Sequence, residues 1–127
     1  MRLGNINEDI DILLSGLRAV IKKKGDCHRW DIADILHAIL TNNAVFMVDG
    51  DDVAVCYTKK LLFADETQLW IWIAYSNDGD AFNKYIDDFK ELATKFGCKS
   101  IGFSSNRDGY RKSSLFEYCE SEYRVTL

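Results

Sequence analysis

Residues 69–89 read LWIWIAYSNDGDAFNKYIDDF. The run Leu69–Tyr75 is apolar on both faces of an extended chain, which is typical of a central strand that is covered on both sides. A short polar turn follows, NDGD at residues 77–80, and apolar residues then recur at helical spacing as far as Phe96. A strand, a glycine-containing turn and a helix N-terminus also form phosphate sites in many proteins. The turn therefore predicts either a phosphate site or a helix cap.

Composition is that of an ordinary globular protein. The 127 residues, of which 47% are hydrophobic and 28% charged, are enough for one domain with a buried core. The net charge of −4 provides no global basic field, which disfavours nucleic acid as a partner. No run of about 18 apolar residues occurs, so we expect no membrane-spanning segment. The four cysteines form no CxxC pair, which favours reduced thiols over a metal site or a disulfide framework.

Hydrophobic periodicity predicts two helices and a hairpin in the first half. The helices span residues 7–24 and 31–41, with Asn7 and Asp31 as N-caps. Two β-rich runs flank Asp49-Gly50, and Asp-Gly between such runs favours a tight turn. The acids of DGDD lack the spacing of a calcium loop, so no metal site is predicted.

The second half alternates strands with helices. One helix over residues 80–96 links the central strand to a strand over residues 100–104, and a crossover of this length makes the two strands parallel. A short helix over residues 108–119 and a strand over residues 123–127 follow. The predicted order is α-α-β-β-β-α-β-α-β, in a single α/β (α+β) domain over residues 1–127. Its mixed central sheet has helices on both faces.

This order resembles the GNAT acyltransferase fold, most closely from Leu69 to Leu127. The usual first strand of that fold has no clear counterpart before Asn7. The C-terminal stretch is similar to small GNAT-like proteins of tailed bacteriophages, including the podovirus internal virion protein group. The positions that carry this similarity are Arg107, Gly109, Tyr110, Leu115, Phe116, Val125 and Leu127.

The resemblance implies where acetyl-CoA would bind in an enzyme of this fold. The turn after the central strand would hold the pyrophosphate through a Gln/Arg-x-x-Gly-x-Gly/Ala motif. If acetyl-CoA binds here, the residues around it would be Ala74, Tyr75, Ser76, Gly79, Asp80 and Ala81. This turn has one glycine and no basic residue, and each pair of like charges 4 Å apart repels by about 4 kcal/mol at an effective dielectric of 20. We therefore favour a helix cap, made by Asp78 and Asp80, over a cofactor loop.

No residue has a clear catalytic role. Glu66 could act as a base, but its predicted place in a turn favours a solvated side chain. The tyrosine position of the family falls on Lys112 or Ser113. Cys27 beside His28 has no third residue to orient the pair. These features favour a fold that is retained without acetyl transfer and without a cofactor.

The candidate partner-binding residues are Arg107, Tyr110, Arg111 and Lys112, although the charge pattern alone favours a solvated helix face. The first hypothesis is a non-catalytic phage protein, virion-associated or active in assembly. It would bind other virion or assembly proteins in the virion or the host cytoplasm. The alternatives are an acetyl-CoA-dependent N-acetyltransferase with an atypical pyrophosphate turn, and a phage inhibitor of a host system.

Overall fold

The computed structural model describes residues 1–24, 30–62, 65–104, 117–119 and 122–127. The strands among these residues hydrogen-bond in the order β1-β2-β3-β4-β5-β7-β6. Strands β4 and β5 are parallel, as predicted, and β5 and β7 are antiparallel, so the sheet is mixed. In chain order the elements are β1 (Arg2–Leu3), α1 (Ile10–Lys24), α2 (Ile32–Leu40), β2 (Val45–Asp49), β3 (Asp52–Leu61), β4 (Glu66–Tyr75), α3 (Ala81–Lys84), α4 (Ile86–Lys95), β5 (Ser100–Ser104), β6 (Glu117–Cys119) and β7 (Glu122–Thr126).

Residues 1–56 and 73–85 form one compact unit. Strands β1 and β3 both pair with β2 in antiparallel register. Helix α1 lies close to β3 at Gly16. A Cβ at this position would come within 2.2 Å of the Val53 side chain. Only glycine therefore permits this approach. The core side chains of this unit include Leu13, Leu17, Ile35, Val48, Val53 and Val55.

Residues 57–72 and 86–127 form a second compact unit. Helix α4 ends before Gly97, whose φ of +72° provides the left-handed residue expected after a helix. The parallel register of β4 and β5 sets Gln68 opposite Ser100 and Trp70 opposite Gly102. The core side chains of this unit include Leu69, Ile71, Phe89, Leu92, Ile101, Phe103 and Val125.

Local turn and cap signals are confirmed in the first unit. Asp49 pairs with Asp52 across the tip of the predicted hairpin, and Gly50 has a φ of +56°. Asp31 caps α2, and the Asp34 side chain accepts from the Asp31 N–H to complete a capping box. The α+β fold class and the mixed sheet are also as the sequence predicts, since helices accompany a sheet with both parallel and antiparallel pairs.

Three predictions at the ends of elements are wrong. A first strand does precede Asn7, because Arg2 and Leu3 pair with β2, and two residues are too few to produce a periodic signal. The first helix begins at Ile10 rather than at Asn7. The Glu8 and Asp9 N–H groups donate to the Asn5 carbonyl and form a turn before the helix. Residues 117–119 form a strand where a helix is predicted, while residues 108–116 of that helix lie outside the described part of the chain.

Two predictions about the centre of the chain also need correction. The helix over residues 80–96 is divided at Tyr85, which has φ −112° and ψ 17° and separates α3 from α4. The face of β4 that carries Trp70 and Trp72 is half-buried, whereas Leu69 and Ile71 on the other face are buried. The two faces are therefore not covered equally. The single domain over residues 1–127 stays a prediction.

Candidate functional site

A buried carboxylate at the start of β3 accepts four hydrogen bonds in the first unit. Asp52 is only 6% exposed. The Ser76 hydroxyl donates to its Oδ2 at 3.0 Å, and the Asn77 N–H donates to its Oδ1 at 3.1 Å. The Lys84 ammonium lies 3.1 Å from Oδ2, and the Tyr85 hydroxyl donates to the same oxygen. We refer to these five residues as the Asp52 cluster.

Secondary structure brings the cluster together from two separate segments. The β2–β3 hairpin places Asp52 opposite Asp49 at its tip. Strand β4 ends at Tyr75, and the next two residues are the donors Ser76 and Asn77. Lys84 is the last residue of α3 and Tyr85 is its C-cap. The break between α3 and α4 therefore lies at a residue whose side chain binds Asp52.

The charges of the cluster are fixed at neutral pH. Burial raises the pKa of Asp52, but hydrogen bonds from Tyr85, Asn77, Lys84 and Ser76 outweigh it and lower the pKa from 3.8 to about 2. Burial and the bond to Asp52 raise the pKa of Tyr85 above its ordinary value, so the phenol keeps its proton. Hydrogen bonds to Asp78 and then Asp52 raise the pKa of Lys84. None of these groups is poised to exchange a proton near pH 7.

The predicted helix cap is half correct. The Asp80 carboxylate accepts the Asn83 N–H at 3.3 Å and caps α3, as predicted. Asp78 does not cap the helix, because its Oδ2 pairs with the Lys84 ammonium at 2.7 Å. The turn itself contains no basic residue, but Lys84 approaches it from the end of α3.

Three consecutive N–H groups of the turn are already used within the protein. The Asn77 N–H donates to Asp52, and the Asp78 N–H donates to the Ser76 hydroxyl at 3.3 Å. The Gly79 N–H donates to the Ser76 carbonyl at 3.1 Å. These are the groups that would face a phosphate if the turn were a phosphate site.

The six residues that would surround acetyl-CoA, if it binds, lie together around this turn. Tyr75 is half-buried at the end of β4, and its hydroxyl donates to the Asn77 side chain at 2.6 Å. Gly79 has a φ of +99°, which favours glycine. The other four are Ala74, Ser76, Asp80 and Ala81, and cofactor binding by the set stays a prediction.

The remaining candidates do not assemble into a described site. Arg107, Tyr110, Arg111 and Lys112 lie outside the described residues, as do Ser113, Cys27 and His28. Glu66 is the first residue of β4 rather than part of a turn, and the Ser100 hydroxyl lies 3.5 Å from its carboxylate. Within the described ranges, no group of three or more His, Cys, Asp or Glu side chains could hold a metal ion. No helix among the described residues could cross a membrane.

Comparison with known proteins identifies the fold. No protein-family model matches the sequence, and no curated protein matches it. The crystal structure of a probable acetyltransferase superposes with a TM-score of 0.68 and 12% identity, over 94% of this chain and 93% of that chain. An aminoglycoside acetyltransferase from an uncultured soil metagenomic sample, in complex with trehalose, superposes with a TM-score of 0.62 and 13% identity. Its complex with sisomicin gives 0.61 and 14%, and both alignments cover 93% of this chain and 90% of that chain.

The chain therefore has the GNAT acetyltransferase fold, as its element order predicts. Identities of 12–14% establish the fold alone. None of these neighbours is described as a phage protein.

Proposed function

We propose that this chain is a non-catalytic protein with a GNAT-like fold that acts by binding another protein. The observation that supports this proposal is the engagement of the turn after β4 by the chain's own side chains. The Asn77 N–H donates to the buried Asp52 carboxylate, and the Asp78 N–H donates to Ser76. A pyrophosphate would have to displace an ionised carboxylate in order to reach these groups.

The charge of the turn also disfavours a polyanionic cofactor. Asp52, Asp78 and Asp80 contribute three carboxylates, and Lys84 is paired with two of them. Each like-charge contact at 4 Å costs about 1 kcal/mol in water and about 4 kcal/mol at an effective dielectric of 20. The same carboxylates cap α3 and hold Lys84, so they have structural roles without any ligand.

The nature of the partner rests on the sequence pattern alone. Similarity to phage GNAT-like proteins favours other virion or assembly proteins as partners, in the virion or the host cytoplasm. Arg107, Tyr110, Arg111 and Lys112 are the residues that we would expect to contact such a partner. Inhibition of a host system would use the same kind of binding with a host protein instead.

A second candidate is an acetyl-CoA-dependent N-acetyltransferase. It is favoured by the solved neighbours, which are described as acetyltransferases. In this case the cofactor would bind around Ser76 and Gly79, and Asp52 would have to leave the turn. No described residue of the Asp52 cluster has a pKa suited to act as a general base near neutral pH.

Calorimetric titration with acetyl-CoA distinguishes the two candidates. We expect no saturable heat from the wild-type chain, because the turn amides are engaged. Saturable micromolar binding would contradict the non-catalytic proposal. The variant Asn77→Glu then locates the site: an added carboxylate beside the turn should abolish binding there and leave binding elsewhere unchanged.

A further inference from the structure

The donors and the acceptor of the Asp52 cluster come from different parts of the chain. All four donors belong to residues 76–85, whereas Asp52 comes from the hairpin, 24 residues before Ser76 and 33 before Tyr85. The donors are a hydroxyl, a backbone N–H, an ammonium and a phenol. Three of them point at Oδ2 and one at Oδ1, so both carboxylate oxygens are bound.

The donor segment also holds its own groups in place. The Asp78 N–H donates to the Ser76 hydroxyl at 3.3 Å, which orients that hydroxyl toward Asp52. The Asp78 carboxylate pairs with the Lys84 ammonium at 2.7 Å and keeps the cation beside the cluster. The donor set is therefore arranged partly by contacts that do not involve Asp52.

We propose that residues 76–85 form a receptor for a small oxyanion, which the protein fills with its own Asp52 carboxylate. One cation, which Asp78 shares, and three neutral donors, of which the phenol also lies 3.0 Å from Asp49, surround two oxygens. This arrangement suits a carboxylate, and the same donors suit phosphate. The receptor rests on the same Asp52 contacts as the proposed function and adds a ligand class to them. In the native chain Asp52 acts as an internal ligand that keeps external oxyanions out.

Removal of the Asp52 carboxylate tests the receptor directly. The variant Asp52→Ala is unfolded thermally, with circular dichroism as the readout, in sodium chloride, sodium formate and sodium phosphate at matched ionic strength and pH 7. Formate replaces the missing carboxylate, and phosphate tests a larger oxyanion. At about 5–10 times its Kd, a bound anion should raise the Tm of this variant by roughly 3–8 °C over chloride.

Asp49→Ala is the matched control. Asp49 is an exposed aspartate of the same hairpin, and its Oδ2 lies 3.0 Å from the Tyr85 hydroxyl, so the variant makes the same change of charge and leaves Asp52 in place. This variant and the wild type report the general stabilisation of proteins by phosphate, which is independent of a site. The double variant Asp52→Ala with Lys84→Met should lose the specific response, because the receptor then has no cation.

The difference in anion response between Asp52→Ala and Asp49→Ala decides whether the receptor exists. A saturable response to formate or phosphate in Asp52→Ala, absent from the control, supports it. An equal response in the two variants would overturn it. If Asp52→Ala is unfolded in chloride, recovery of its folded signal on adding formate is the expected result, and failure of both oxyanions to restore folding would overturn the receptor.

The outcome is separable from that of the acetyl-CoA titration. Acetyl-CoA binding to the wild type would contradict the proposed function, whatever small anions do to Asp52→Ala. Failure of the anion response would overturn the receptor and leave a wild-type chain that still does not bind acetyl-CoA.

Discussion

Asp9 and Asp52 are both buried carboxylates, but they reach the same electrostatic state by different routes. Hydrogen bonds from Arg2 and from the Asn5 N–H lower the pKa of Asp9 to about 2. These partners lie only seven and four residues away. Asp52 reaches a pKa of about 2 despite its burial, with donors 24–33 residues away in sequence. The local contact fastens β1 to the start of α1, whereas the long-range contact fills a set of donors that an external anion could use.

The hydrogen-bond donors of the two carboxylates also differ in whether water can reach them once the carboxylate is removed. Arg2 is 62% exposed, so its guanidinium can return to water without Asp9. Ser76 and Tyr85 are only 5% and 4% exposed, so they would remain buried without their acceptor. An unsatisfied buried polar group is costly, whereas a solvated one is not. We therefore expect the two carboxylates to contribute unequally to stability.

Acidification should have the largest effect, because it protonates both carboxylates. Each has a folded-state pKa of about 2, below its ordinary value of 3.8. Their stabilisation is therefore fully present above about pH 4 and is lost as the pH falls toward about 2. Thermal unfolding midpoints from pH 6 to pH 2 should fall steeply in this window. A double variant, Asp9→Asn with Asp52→Asn, should flatten the fall, and an unchanged slope would contradict the assignment.

Asp52→Ala should be the most destabilising single change in this comparison. We expect a loss of about 3 kcal/mol in the free energy of unfolding, since buried donors lose a charged acceptor. Urea denaturation measures this loss. Asp49→Ala, at an exposed position of the same hairpin, should stay within about 0.5 kcal/mol of the wild type. Equal losses in the two variants would show that the buried contacts of Asp52 contribute no more to stability than the exposed Asp49 carboxylate does.

Asp9→Ala should cost roughly half as much as Asp52→Ala, because its main partner Arg2 regains water. The same urea experiment gives the ratio. Arg2→Ala should cost at least as much as Asp9→Ala, since it leaves the buried Asp9 carboxylate without its cation and with the Asn5 N–H at 2.8 Å. A loss from Asp9→Ala that exceeds that of Asp52→Ala would reverse the order proposed for the local and long-range contacts.

The smallest effect should come from the cap of α3. Asp80→Ala removes the acceptor of the Asn83 N–H and should cost about 1 kcal/mol or less. Asp78→Ala is the matched change two residues earlier, and it removes an exposed ion pair rather than a cap. Equal stability of the two variants would contradict the cap assignment, and urea denaturation resolves the difference.

Short-range signals account for what the sequence predicts correctly. The hairpin follows from Asp49-Gly50, α2 from the Asp31 cap, and the parallel strands from the length of the crossover. The division at Tyr85 escapes prediction because apolar residues keep their helical spacing through it, from Phe82 to Phe89. Its cause is tertiary, since the Tyr85 side chain binds a residue 33 positions earlier.

The candidate site likewise has one part that the sequence predicts and one part that it does not. The turn and its Asp80 cap follow from residues that are adjacent in sequence. The role of Asp52 does not, because an acid two residues after Asp49-Gly50 is typical of an exposed turn residue. One signal was available: Val53, Ala54 and Val55 follow it directly, so Asp52 begins a strongly apolar strand. An acid at such a position needs buried partners, although the sequence does not identify them.

The position of β7 between β5 and β6 has a consequence for synthesis on the ribosome. Strand β5 pairs with β4 on one edge and needs β7 for the other. The end of β7 follows the end of β5 by 22 residues, from Ser104 to Thr126, so this edge of β5 cannot be covered until those residues have also been made. An open strand edge is a template for association with other chains. A chain that stops short of β7 would keep this exposed edge permanently, and a chaperone would be expected to bind it there.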